Sequence, residues 1–222
     1  MNATELLTRL RSLGKPATAK TYRRHGAVEP ILGVSYADLG KLEKQIQIDH
    51  ALALSLWQAG DHEARVLATK IADPARVTWA EIDAWRKDLR GYPIVGAFSD
   101  FVRRTPHARA CIDRWIDSKD EWTSSAGWSV LAALATHDRS LPDAELAPYI
   151  VRIVAGIHGA LNRTRHNMNG ALIAIGGRGG ALEKQALAAA KKIGRVEVDH
   201  GETECETPDA EAYIKKIRAR AR

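Results

Sequence analysis

The sequence predicts an all-α protein, a superhelical stack of HEAT-like antiparallel helix pairs, which is an α-solenoid. Three observations carry that reading. Apolar residues recur at i, i+3, i+4 and i+7 along nearly the whole chain. Glycine, proline and cap residues break this pattern at short intervals. Strand-type alternation is nearly absent: Arg195–Asp199 alternates, but it is short and has no partner strand. Roughly ten to thirteen short helices result, and pairs of about 35–45 residues suit stacking, in which each pair covers the apolar face of its neighbour. A compact bundle is the competing architecture, but a dozen short helices cannot all reach one core.

The elements follow in order. Leu6, Leu7, Leu10 and Leu13 mark a first helix, closed by Gly14 and restarted after Pro16. Tyr36, Leu39, Leu42 and Ile46 mark another. Leu52, Leu56 and Trp57 belong to a segment that Gly60 ends. Asp61 then caps a helix carrying Ala64, Val66, Leu67 and Ile71, which Asp73-Pro74 stops. Thr78 and Glu81 form a capping box ahead of Ile82 and Trp85. Further helices are expected at about 93–104, 107–117, 119–136, 143–158, 163–176, 180–192 and 208–221. The stretch 193–207 is the longest without helical spacing, and with Ile193, Val196 and Val198 to bury it is expected to pack across the last helices.

Composition bounds the function classes. The 222 residues are 45% hydrophobic, which excludes wholesale disorder. A single domain over 1–222 is expected, large enough to fold without disulfides or a metal. Cys111 and Cys205 are too few for a disulfide framework, so a reducing, cytoplasmic setting is expected. The N-terminal stretch is charged and amphipathic, unlike a signal peptide, and no window is apolar enough to span a membrane. With 33 Lys+Arg against 27 Asp+Glu the net charge is +6, a mild basicity that suits an anionic partner without requiring one.

Common catalytic motifs for nucleotide binding, metalloproteolysis and serine hydrolysis are missing. Gly176-Gly177-Arg178-Gly179-Gly180 has no strand before it and reads as an inter-helix turn. The densest polar cluster is Asn162-Arg163-Thr164-Arg165-His166-Asn167-Met168-Asn169 at a helix start. Free N–H groups beside two guanidinium forks suit a phosphate; alternatively Asn162 caps the helix and the arginines are solvated or paired. Helical spacing places Asn162, Arg165 and Asn169 on one face. A second basic group, Lys15, Lys20, Arg23, Arg24 and His25, surrounds Tyr22. Basic side chains interleaved with an aromatic suit a nucleic-acid surface, and also a solvated helix end. The C-terminal run Lys215, Lys216, Arg218, Arg220, Arg222 reads as a solvated face. His200 and Cys205 match no zinc spacing, so no metal and no cofactor are expected. His50 and His62 read as capping or surface residues. Trp85, Trp115 and Trp122 either line a groove or pack in the core.

Several stretches resemble the DNA alkylation repair family, the AlkD-like helical-repeat proteins. These are Tyr22-Arg23-Arg24-His25-Gly26-Ala27 with Gly33-Val34; Leu52-Ala53-Leu54-Ser55-Leu56-Trp57 followed by His62-Glu63-Ala64-Arg65-Val66-Leu67-Ala68; Trp115-Ile116-Asp117-Ser118 with Gly127-Trp128; and the ending from Ala190 through Cys205 to Ala210, which is similar to a diverged subgroup. The resemblance covers essentially the whole chain, and implies HEAT-like pairs with a basic concave face for double-stranded DNA. The family's known activity is hydrolysis of the N-glycosidic bond of N3- or N7-alkylated purines, with a carboxylate stabilising the developing cation or positioning water. In this sequence the segment expected to carry that acid reads Tyr92-Pro93-Ile94-Val95-Gly96, with Gly96 at the acid's position. Leu131 and Ile173 stand where arginines are expected, and the tryptophan expected near Gly170 is replaced.

Three functions remain open. The first is DNA binding by backbone contacts, with glycosylase activity doubtful; Tyr22, Arg23, Arg24, His25, Asn162, Arg163, Arg165 and Asn169 are the candidate contacts, the four arginines touching phosphates. The second is an active alkylpurine DNA glycosylase with a relocated acid, Asp100 first, or chemistry moved to Arg163 or Arg165. The third is a non-enzymatic scaffold that grips another protein. A monomer without a membrane partner is expected.

Overall fold

The computed structural model describes residues 2–220. Thirteen α-helices and one 3-10 turn occupy them, with no strand among the described residues. The alternating stretch 195–199 is extended but unpaired. The helices divide between two compact units, Met1–His107 with Gly201–Thr203, and Ala108–His200 with Glu204–Arg222.

The first unit holds α1 (Ala3–Leu13), α2 (Pro16–Arg24), α3 (Tyr36–Ile46), α4 (His50–Ala59), α5 (His62–Ile71), α6 (Trp79–Lys87) and α7 (Tyr92–Val102). Their ends follow ordinary cap chemistry. Asn2 and Glu5 form a capping box on α1, Pro16 opens α2, and Ser35 and Asp49 cap α3 and α4 with their side chains. Thr78 and Glu81 close the expected box on α6. Asp61 stands at the N-cap of α5 without a side-chain cap bond.

Helix α5 is the core of this unit, packing on α3, α4 and α7. Eight of its ten residues are buried, so its sequence must tolerate neighbours on nearly every side. One of the eight is Glu63, whose side chain no water reaches. A buried carboxylate needs several donors, and the chain supplies three backbone amides: Leu32 N–H at 2.8 Å, Gly33 N–H at 2.5 Å and Val34 N–H at 3.1 Å. Gly33 has φ +84°, and a Cβ there would lie 2.2 Å from the Lys15 carbonyl oxygen, so only glycine fits. The Lys15 N–H donates to the Gly33 carbonyl, and the His62 N–H to that of Pro30. The segment 30–34, itself without helix or strand, is thereby fixed to α5. Nearby, Trp57 stacks flat on Trp85, their centroids 4.3 Å apart, and its indole N–H donates to Asp88. Arg65 lies over the Trp57 ring and pairs with Asp88 at 3.4 Å. Both His50 and His62 belong to this core, at 8% and 5% exposure, rather than to the surface.

The second unit holds α8 (Ala108–Trp115), α9 (Glu121–His137), α10 (Asp143–Gly156), a 3-10 turn Ile157–Gly159, α11 (Asn162–Gly177), α12 (Gly180–Ile193) and α13 (Ala210–Arg220). Helices α9 and α11 pack along their length, with α8 on α9, and α12 and α13 on α11. At Gly127 the backbone of α9 comes so near that a Cβ would meet Ile116 N and Cγ2 at 2.9 Å. Ser124 reinforces the approach by donating to the Ile116 carbonyl at 2.9 Å. Trp85 and Trp115, each 3% exposed, are core residues, while Trp122 is half-buried.

Two changes test this frame. Glu63→Ala leaves three amides of the 32–34 segment without their acceptor and should cost about 3 kcal/mol or more in urea unfolding. Gly127→Ala forces backbone apart and should cost about 1–3 kcal/mol. A midpoint unmoved in Glu63→Ala would show that the segment is held by something else.

Candidate nucleic-acid interface

Two basic surfaces expected from the sequence are present, and their side chains are in different states. On α2, Tyr22 points inward. Its phenol donates to the Val34 carbonyl at 2.8 Å, and its ring meets those of Tyr36 and His62 edge-on. Burial, with Tyr36 and Glu63 adding to it, pushes the Tyr22 phenol up to about 12, so it stays a neutral donor. With Tyr22 turned in, Lys20, Arg23 and Arg24 are exposed. Arg23 pairs with Glu29, whereas Lys20 and Arg24, one turn apart, carry no ion pair among the described residues. His25 caps α2, and its Nδ1 is hydrogen-bonded to the Tyr92 hydroxyl at 3.0 Å.

At the start of α11 the donors are engaged within the chain. Leu161, not Asn162, holds the N-cap position. Asn162 pairs reciprocally with the backbone of Asp199, at 2.8 and 2.7 Å. Arg165 donates to the carbonyls of Glu197 and Ala160, and Asn169 to that of Pro208. The Arg163 N–H donates to the Glu121 carboxylate at 2.6 Å, which places an internal anion where a phosphate was expected. Asn162, Arg165 and Asn169 do share a face, as their spacing predicts, and that face holds the carbonyls of Asp199, Glu197 and Pro208. These residues also wall a groove of about 1050 Å³ with residues 194–200 and 205–211.

His166 and His200 sit beside this contact, rings edge to face at 5.5 Å. His200 lies 3.5 Å from Arg163 Nη1 through Nδ1 and 2.9 Å from Thr207 Oγ1 through Nε2. Burial, then His200 and Arg163, lowers the His166 imidazole to about 4; burial and Arg163 lower His200 in the same sense. Both are therefore neutral at pH 7.

A third feature was not legible in the sequence. Helices α3, α5 and α7 wall a cleft of about 480 Å³ that gathers Tyr36, Lys70, Gly96, Asp100, Arg103 and Arg104. Gly96 is exposed, and a Cβ there would meet nothing within 4 Å. Asp100, one turn later, is paired with Arg103 at 2.7 Å and lies 3.9 Å from Arg104. Lys70 pairs with Glu43 at 2.8 Å. The adjacent arginines after Asp100 were the one available signal. Lys70 and Tyr36 come from distant segments that only folding joins. Among the described residues no helix is long and apolar enough to cross a membrane.

Residues 6–212 match the family profile described as DNA alkylation repair enzyme. A protein of Listeria innocua, Lin0241, is 31% identical over 97% of this chain and 97% of its own length. Lmo0209 of Listeria monocytogenes is 30% identical over 98% of each. A solved structure described as "A new family of proteins related to the HEAT-like repeat DNA glycosylases with affinity for branched DNA structures" superposes with a TM-score of 0.91. It is 28% identical, covering all of this chain and 96% of that one. The all-α, HEAT-like architecture expected from the sequence is the one found.

The histidine pair sets a pH dependence. Unfolded, His166 takes its proton near 6.5; folded, it resists until about 4. The folded state thus binds fewer protons between those values, so this contribution is complete above about pH 6.5 and is lost as the pH falls toward about 4. His166→Phe, which cannot titrate, should show a shallower fall in unfolding free energy across that window. An equal slope in both proteins would place the protonation elsewhere.

Proposed function

The chain belongs to the DNA alkylation repair enzyme family, and from that premise we propose that it binds DNA, branched DNA included, without excising bases. The observation that carries the reading is the full-length likeness, at 28% identity and a TM-score of 0.91, to a structure described as having affinity for branched DNA. Lys20 and Arg24 on α2 support it, because exposed cations without carboxylate partners are free to displace counterions from phosphates. Arg23 joins them when its bond to Glu29 opens. Asn162, Arg163, Arg165 and Asn169 contribute less, since each must first give up a partner within the chain. Affinity of this kind is largely indifferent to sequence and sensitive to salt.

The cleft of α7 supports the reading without base excision. N-glycosidic hydrolysis builds positive charge on the sugar, and a carboxylate close to that charge lowers the barrier. Gly96 offers no side chain. Asp100 has its charge largely compensated by Arg103 and Arg104, which is poor equipment for stabilising a cation. The glycosylase alternative depends on Asp100 leaving both arginines. A scaffold that grips only protein is the reading left if DNA does not bind.

Binding to a duplex and to a four-way junction should weaken at least about tenfold between about 50 and 200 mM salt, the loss that two to three phosphate contacts produce. Lys20→Glu with Arg24→Glu should weaken both further and flatten the salt dependence. Release of N7-methylguanine from DNA should not exceed the spontaneous rate. Negligible binding of any DNA at low salt would remove the proposal, and release abolished by Asp100→Asn would establish the glycosylase instead.

A further inference from the structure

We propose that the cleft of α3, α5 and α7 receives one unpaired nucleotide, its base stacked on Tyr36 and its phosphodiester held by Lys70, Arg103 and Arg104. This rests on the DNA-binding reading and adds to it the feature of the DNA that is recognised.

Tyr36 is the first residue of α3, and at 47% exposure it is one of the few large rings the chain leaves in solvent. It is not free to swing. The Tyr22 ring meets it at 5.4 Å and 64°, and Tyr22 is itself anchored to the Val34 carbonyl. Burial of part of the ring, with Glu63 and Tyr92 near, raises its phenol, so the ring stays uncharged. A fixed neutral ring offers a base a stacking face at little entropic cost, and every base has a face to stack.

The rest of the lining matches a nucleotide. Gly96 projects nothing into the cleft, which leaves room for a flat ring system. Lys70, Arg103 and Arg104 face Glu43 and Asp100 there, three cations against two carboxylates, an excess of +1 that balances one phosphodiester. Each cation has a partner within the chain, Lys70 in Glu43, Arg103 in Asp100 and Arg104 in the carbonyls of Thr69 and Asp100, so the phosphodiester meets the net charge excess of a fixed cluster rather than a free donor, as it would at Arg165. About 480 Å³ lies within the range of small-ligand sites, enough for a nucleotide and far too little for a helical duplex. A paired base reaches such a cleft only by leaving its stack, whereas an unpaired base has little to give up. The cleft therefore favours DNA in which a nucleotide already lacks its partner, as at a bulge or an open branch point.

The test uses the full chain and three DNAs: a flush duplex, the same duplex with one bulged 2-aminopurine, and a three-way junction with 2-aminopurine unpaired at the branch. Binding should quench the fluorescence of the unpaired probe. Tyr36→Phe should keep the quench and bind within about twofold of wild type. Tyr36→Ala should abolish the quench and weaken binding of the bulged and branched DNAs about five- to a hundredfold, the range of one base–aromatic stack, while flush-duplex binding is unchanged. Gly96→Leu, which fills the cleft where the fold has space for a side chain, should reproduce the Tyr36→Ala result. Wild-type binding of all three DNAs, left unaltered in Tyr36→Ala and Gly96→Leu, overturns this inference and leaves DNA binding standing. Failure of the wild type to bind even the flush duplex at low salt overturns both.

Discussion

The buried Glu63 carboxylate is the constraint on which the first unit depends. A charge taken wholly out of water must be met by donors within the fold. Three consecutive amides can converge on one carboxylate only if the chain between them turns sharply, and Gly33, at φ +84° against the Lys15 carbonyl, permits that turn. The carboxylate therefore dictates the path of the 30–34 segment. That path in turn places the Val34 carbonyl where it accepts from Tyr22, and sets the Ser35 cap from which α3 begins. Tyr22 turned inward is what leaves Lys20 and Arg24 outward. A single buried ion thus determines which side of α2 is basic and where the Tyr36 ring stands.

The same reasoning separates structural from available charge in the second unit. A guanidinium that donates to backbone carbonyls, as Arg165 does, holds a peptide segment in place. Its charge persists, but its geometry is committed. Three polar atoms of α11 remain without a hydrogen-bond partner beside this contact: Arg165 Nε, His166 Nδ1 and Asn169 Oδ1. A count of basic residues does not distinguish a committed arginine from an available one.

That distinction explains what was legible in the sequence. Helices were legible because apolar spacing and caps are local: Leu6 and Leu10 are buried as their spacing requires, and Thr78 with Glu81 closes its box. Sharing of a face by Asn162, Arg165 and Asn169 was legible for the same reason. That the stretch 193–207 packs across the last helices was legible too, but which of its carbonyls this face would meet was not, because the acceptors at 197, 199 and 208 come from another segment. His62 read as a surface residue because a polar side chain beside a glycine turn usually is one. Its burial is imposed by α2 and the 30–34 segment. Glu63 gave no sign of its role, since an acid in the first turn of a helix is ordinary. Beyond the adjacent arginines after Asp100 the cleft left no trace, as Tyr36, Lys70 and Gly96 belong to three different helices.

The exposed glycine at position 96 gives the cleft its chemical sense. Glycine in a helix interior costs about 0.5–1 kcal/mol relative to alanine, and no close neighbour requires it here. Gly33 and Gly127 differ, because at each a Cβ would collide with backbone. Gly40 and Gly170, also within helices, have as much open space, so what sets Gly96 apart is its place in the lining of the cleft, where a side chain would take up room. Catalysis at this place would need a carboxylate directed at a sugar, whereas binding needs open space, a stacking ring and a small positive excess. The helix that carries Gly96 also carries Asp100, already neutralised by its own arginines. On the proposed reading, the missing side chain at Gly96 both withholds a carboxylate from the cleft and leaves room for a base.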